Sequence, residues 1–432
     1  MKNDLGLAAA TKTASLGVTS AEQGYHFAVW APHADAVSVV GDFNDWQGEA
    51  AAMQRDDSGV WSAHVADAQE GQAYKYRIRY EDREFDRVDP RALKVENSAG
   101  SGIVWTPRFE RKADFVPPTL DQLVLYELHI GTFAVSEENQ VGTFHAAIEK
   151  LDYLADLGIN AVEIMPIAEF AGDLSWGYNP AHPFAVESAY GGPEAFFDFV
   201  EAAHQRGIAV ILDVVYNHFG PSDLSLWQFD GWSENDKGGI YFFNDGRSET
   251  PWGDTRPDYG RSEVRDYIKD NALMWTNLYG VDGLRFDMTL FMRSTRGNPD
   301  DPMEDLKEGW SLMQMVNDAV RQANPRAILI AEDLRDSEWL VKGTGAGGAG
   351  FSSQWCAAFV HPVREALSVA NDEHRSLHGI ESALLNKFDG DAFKRVLYSE
   401  SHDEVANGKA RLPSEIDAGA PDSYPARKRS LL

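Results

Sequence analysis

From Leu123 onward, apolar strand segments take turns with amphipathic helical stretches, and this alternation constrains the fold more than any other feature of the chain. The strand segments are LVLYELHIGTF, NAVEIMPI, AVILDVVYNH, GLRFDMT, AILIAEDL, a weaker segment at 350–355, and VLYSESHDE. Helical stretches are predicted at 145–157, 193–206, 263–279 and 310–324. Strands that are apolar on both faces must be covered on both faces, which a parallel sheet with packed helices provides. About seven such units imply an α/β fold of the (β/α)8 TIM-barrel type that breaks off before its eighth strand. SYPARKRSLL reads as the start of the helix after the seventh strand. An open edge there leaves backbone groups unpaired and apolar surface exposed.

The first 112 residues follow a different rhythm. HFAVWAP, AVSVVGDF, GVWSAHVA and YKYRIRY alternate in the two-residue period of half-buried strands, separated by turn residues, and predict a small β-sandwich. The division expected is therefore a sandwich at 1–112 and a barrel at 113–432, with Pro117-Pro118 as a stiff spacer. Trp46 and Trp61 are assigned to the sandwich core in preference to a surface site.

Composition narrows the partners. With 68 acidic against 39 basic residues the formal charge is -29, which argues against nucleic acid or an anionic membrane and for a neutral ligand. The one cysteine, Cys356, has no internal partner and reads as a packed small residue. MKNDLGLAAATKTASLG lacks an apolar core of signal-peptide length, so a cytoplasmic location is the default expectation.

The chemistry-bearing residues sit where a barrel keeps its active site, at the C-terminal ends of the strands: Asp213, Asp287, Glu332 and Asp403. Cleavage of a glycosidic bond with retention needs one carboxylate as nucleophile and one carboxylic acid as proton donor, about 5 to 5.5 Å apart. Arg285 lies two residues before Asp287 on the same strand face and is expected to hold that carboxylate ionised. Glu332 has to carry a proton at neutral pH to serve as the acid.

ILDVVYNH, GLRFD, IAED and SHDE follow in order on successive strands, with SWGYNP after the second. On these motifs the chain resembles the α-amylase superfamily, and within it the 1,4-α-glucan branching enzymes and their close relatives. FAVWAPHADAVSVVGDFNDW resembles the α-glucan-associated sandwich that precedes such barrels. The resemblance implies that Asp287 is the nucleophile, Glu332 the general acid and base, and Asp403 a brace for sugar hydroxyls. It implies that His218 and His402 donate to those hydroxyls, that Tyr178 stacks on the reacting ring, and that Asp213 orients Arg285. Asn217 matches a calcium position of some amylases, but the loop at 218–261 lacks further oxygen ligands, so no metal or other cofactor is expected. That loop is too long for a plain connector and reads as glucan subsites, with Trp227, Trp232, Tyr241 and Trp252 as stacking candidates or as a self-packed loop core.

Hydrolysis and transfer share the glycosyl-enzyme and differ in whether water or a sugar hydroxyl attacks it. SHDEVANGK resembles branching enzymes through Glu404, Val405, Gly408 and Lys409, whereas YELHIGTF and AED resemble trehalose-releasing hydrolases of maltooligosyl trehalose. Branching with an α-1,4-glucan substrate is therefore the first expectation. The trehalohydrolase comes second, and a plain amylase or 4-α-glucanotransferase third. A glucan-binding module without turnover is the alternative from a different class.

Overall fold

The computed structural model of the protein describes residues 15–135, 140–369, 371–406 and 408–426. The expectations for residues 1–14, and for 427–432 of the final helix, lie outside them. Two antiparallel sheets form the N-terminal module. One orders β1 (Gly17–Ser20), β2 (Tyr25–Trp30), β5 (Val60–Val65) and β4 (Gln54–Arg55) as β1-β2-β5-β4. The other runs β3 (Ala36–Gly41), β6 (Ala73–Tyr80) and β7 (Arg83–Arg87), with β8 (Gly102–Ile103) also on β6. Alternation places Phe27 and Val29, Val37 and Val39, and Tyr74, Tyr76 and Ile78 in the shared core. Trp61 joins them and donates its indole N–H to the Ala31 carbonyl at 2.9 Å. Trp46 does not. A backbone φ of 59° turns it outward, half-buried, with its indole N–H on the Asp42 carboxylate at 3.1 Å. A left-handed tryptophan in a turn is invisible to a strand-period reading, which is why its core assignment fails.

The second part is a curled sheet of seven parallel strands in the order β17-β16-β15-β14-β13-β10-β9. These are β9 (Leu125–Leu128), β10 (Ala161–Ile164), β13 (Ala209–Val214), β14 (Gly283–Phe286), β15 (Ile328–Ala331), β16 (Ser353–Trp355) and β17 (Arg395–Val396). β11 (Ala168–Phe170) and β12 (Pro180–Val186) form an antiparallel hairpin after β10. Among the described residues β9 and β17 are the free edges, and a cavity of about 480 Å³ opens beside them, lined by Leu125, Glu163, Trp355, Val396 and Tyr398.

Helices Gly192–His204, Ser262–Leu273 and Lys307–Ala323 cover the sheet. The stretch at 145–157 is two short helices, Phe144–Ile148 and Leu151–Asp156, whose Phe144, Ala147, Leu151 and Leu154 are all buried. The break between them lets both short apolar faces reach the core. Ser262–Leu273 runs on into a widened π-helical turn, Met274–Tyr279, which ends at Gly280. The last strand is shorter than expected, because Ser401 caps a helical turn, His402–Val405, by accepting the Glu404 N–H at 3.3 Å. Asp403 thus sits on a helical turn beyond β17 and not on the strand itself. Cys356 is buried just ahead of the helix Ala357–Ser368.

The loop at 218–261 packs against the sandwich. Asp230, fully buried, accepts the His33 backbone N–H at 2.9 Å and faces its Nδ1 at 3.0 Å, while the His33 ring stacks on Trp232 at 4.4 Å. Arg83 donates to the Gly231 carbonyl at 2.7 Å and Arg87 to that of Phe229 at 3.2 Å; Trp30 meets Tyr241 edge-on. Trp232 and Tyr241 therefore belong to the contact between modules. Asp230→Ala strips a buried charged acceptor from the partly buried N–H groups of His33 and Trp232 and is expected to destabilise by about 1–3 kcal/mol. Urea unfolding should show this together with faster proteolysis in the 218–261 loop; an unchanged midpoint would remove Asp230 from the account of the interface.

Candidate active site

Parallel register sets Asp213 beside Arg285 on neighbouring strands β13 and β14, with Phe286 beside Ala331 on β15. Asp287 and Glu332 follow directly after β14 and β15, so both emerge at the same rim. Arg285 is 0% exposed. Its Nη1 lies 2.6 Å from Asp213 Oδ2 and 3.1 Å from Asp287 Oδ1, and its Nη2 lies 3.0 Å from Glu332 Oε2. One guanidinium therefore gathers three carboxylates, and its carbon lies 4.5 Å from the centre of the Trp355 ring. The planar fork of arginine suits this task in a way a lysine point charge does not.

Electrostatics at this centre pull in opposite directions. Burial, then the Glu332 carboxylate, push Asp287 well above the usual carboxylate range, against the pull of Arg285 and the Asn217 amide, which donates at 3.1 Å. The expectation that Arg285 keeps Asp287 ionised thus accounts for one influence of several, and burial exceeds it. Asp213 is pushed up to about 6, chiefly by burial, with Arg285 and the Tyr178 hydroxyl opposing. Arg285 itself loses solvation on burial, yet the anions around it hold its proton more tightly than usual.

The turn after Asp287 is strained. Met288 adopts a left-handed φ of 39°, a conformation costing about 1–2 kcal/mol for a non-glycine residue, and this aims its N–H at Glu332 Oε2, 2.9 Å away. Thr289 donates its backbone N–H to the Glu332 carbonyl at 2.7 Å, and Arg293 holds buried Asp333 with bonds of 2.6 and 2.8 Å. The backbone around Glu332 is pinned from both sides.

Around this centre lies a ring of aromatic and imidazole groups. Tyr178 donates its hydroxyl to Asp213 at 2.6 Å, and its ring is stacked with that of His402 at 5.1 Å. Asp403, 44% exposed, keeps a carboxylate oxygen 3.6 Å from His402 Nε2. His218 sits deeper than a sugar-binding role asks: its Nε2 meets the Tyr178 carbonyl at 2.8 Å and its Nδ1 meets Asn217 at 3.0 Å. Burial lowers its pKa to about 4, so the neutral ring has a single N–H between these two acceptor oxygens and has to give up that bond to donate to a sugar. Trp252, 38% exposed, stacks on His218 at 4.7 Å and is the one of the four loop aromatics both exposed and over the centre. Sequence reasoning passed over Glu127, Met288 and Trp355. Glu127 alone carried a signal, as an acid inside the apolar strand LVLYELHI.

Residues 15–92 match the family described as carbohydrate-binding module 48 (isoamylase N-terminal domain), and residues 128–252 match the alpha amylase catalytic domain. The chain is 32% identical over 425 residues to the 1,4-alpha-glucan branching enzyme GlgB of Salinibacter ruber, covering 93% of this chain and 67% of that one. This chain belongs to the α-amylase family, among the branching-enzyme group. Its likeness to the GlgB of Oceanobacillus iheyensis is 32% over 416 residues, 90% of this chain and 64% of that protein. A pullulanase structure from Anoxybacillus sp., complexed with maltotriose, superposes with a TM-score of 0.74 at 23% identity over 97% of this chain and 64% of its own, a likeness of fold. The chain spans about half to two thirds of the length of the curated relatives it matches. No described helix of this α-amylase-family chain is long and apolar enough to cross a membrane.

Proposed function

We propose that this protein cleaves α-1,4 bonds of a glucan with retention and transfers the released chain to a sugar 6-hydroxyl, forming α-1,6 branches. The observation that carries the reading is the single guanidinium of Arg285, which presents Asp287 and Glu332 side by side on adjacent nitrogens at one rim. Asp287 Oδ attacks the anomeric carbon while Glu332 gives its proton to the departing glycosidic oxygen. The incoming hydroxyl then returns a proton to Glu332 as it displaces Asp287. Burial favours protonated Asp287 in the empty site, so binding has to leave the proton on Glu332 and the charge on Asp287. The positive charge developing at the anomeric carbon favours that distribution. Tyr178 and Trp252 offer ring faces for the apolar C–H surface of glucose. The supporting likeness is to relatives named 1,4-alpha-glucan branching enzyme.

Purified protein incubated with amylose is expected to lose iodine colour without gaining reducing ends, and proton NMR of the product should show new α-1,6 anomeric signals. Reducing ends that rise in step with the colour loss would replace transfer by hydrolysis, the reaction of a trehalohydrolase or amylase. Glucan binding with neither change would leave a binding module.

A further inference from the structure

The sheet curls so far that an acid on one edge reaches a residue beyond the other. Glu127, on β9, spends both carboxylate oxygens on His402, just past β17: Oε2 accepts the His402 backbone N–H at 2.8 Å, and Oε1 lies 2.6 Å from His402 Nδ1. His402 is nearly buried and Glu127 mostly so. A carboxylate on Nδ1 fixes that nitrogen as the donor and leaves Nε2 as the free edge of the ring, which points toward Asp403 at 3.6 Å. The imidazole is stacked with Tyr178 at 5.1 Å and meets the Trp176 edge at 5.2 Å. From there Tyr178 bonds Asp213, Asp213 bonds Arg285, and Arg285 holds Asp287.

We propose that Glu127 is a positioning residue for the transfer reaction, holding the His402 ring by two bonds so that its Nε2 edge and the stacked Tyr178 face the reacting sugar. The inference rests on the proposed function for the identity of the sugar, but not for the Glu127–His402 interaction itself. Glu127 also sets the charge of the ring. Burial lowers the affinity of His402 for a proton, yet Glu127, through its bond and its charge, and then Asp403, raise it above the ordinary imidazole value. The other groups facing the ring are Arg285, which opposes the charge, His129, and the aromatic Tyr178, Trp176 and Trp355. A cationic His402 donates from Nε2 to a sugar hydroxyl while Nδ1–H stays on Glu127.

The sign follows directly. A histidine whose proton is held by a carboxylate loses it at higher pH than a free one, so removing the carboxylate moves the loss to lower pH. Glu127→Gln keeps the shape and removes the charge. His402 followed by NMR of its ring carbons, its signal identified by absence in His402→Gln, is expected to titrate above about 6.5 in wild type and about one pH unit lower in Glu127→Gln. The alkaline limb of kcat/KM on amylose should move in the same direction, and Glu127→Asp should recover most of both shifts. A wild-type midpoint at or below the ordinary imidazole value overturns the proposal even if the Gln variant fails to fold. So does a Gln variant whose activity falls equally at every pH with the midpoint unmoved, the result of a purely structural tie. If wild type neither branches nor hydrolyses amylose, the functional reading fails, while the NMR midpoints still decide the role of Glu127.

Discussion

Replacement of Asp287 by Asn is expected to lower turnover on amylose by on the order of 10⁴ to 10⁶-fold, the loss typical of removing a covalent nucleophile, with an unfolding temperature at or slightly above that of wild type. The stability half of this prediction follows from the site. Asp287 is buried, and burial together with Glu332 raises its pKa, so its charge at neutral pH works against the folded state. A neutral isostere removes that unfavourable charge and keeps one acceptor oxygen for the Asn217 amide or the Arg285 fork, a gain that outweighs or matches the one donor left without its carboxylate oxygen. Glu332→Gln differs in kind. Loss of a general acid costs about 10² to 10⁴-fold on a glucan, but α-glucosyl fluoride, whose leaving group needs no proton, should recover much of the first step. In Asp287→Asn it should not. Near-normal rates in Asp287→Asn, or fluoride rescue of that variant, would move the nucleophile elsewhere.

The cluster around Arg285, the candidate site, was legible because charged residues are out of place on strands apolar on both faces. Arg285 and Asp287 have no reason to interrupt GLRFDM other than one another and their neighbours on β13 and β15, and strand order alone brings Asp213 and Glu332 to them. What the sequence hid depends on partners from distant segments. Glu127 and His402 are 275 positions apart, and nothing local marks them as a pair. Trp232 and Tyr241 of the 218–261 loop read equally as sugar platforms or as a self-packed loop core, because their partners, His33 and Trp30, lie in the other module. The outward turn of Trp46 and the strain at Met288 are backbone choices at single residues, which residue-type patterns do not encode. The turn bearing Asp403 did carry a signal, the Ser401-x-x-Glu404 spacing of a helix start, outweighed by the β-like run VLYSES before it.

Arg285→Met should cost about 3–5 kcal/mol of stability near neutral pH, because it leaves buried carboxylates without their counter-charge. Methionine fills similar volume between Trp355 and Tyr178, so the loss reports charge more than packing. Its pH dependence is the sharper test. Burial already pushes Asp213 up to about 6 against the pull of the guanidinium, and Asp287 is also raised; without Arg285 both rise further. A carboxyl whose folded pKa exceeds its unfolded one stabilises fully only below the unfolded value, about 4, and that contribution is lost as pH climbs through the folded value. The deficit of Arg285→Met relative to wild type is thus expected to be smallest near pH 4, where the carboxyls are neutral in both proteins, and to widen steadily above pH 6. Arg285→Lys should regain part of the stability and little of the activity, since one ammonium does not span Asp213, Asp287 and Glu332 together. Calorimetric unfolding across that range decides the matter: a deficit that stays constant with pH would make Arg285 a packing element, and the three carboxylates would then need another source of the compensation that keeps them buried.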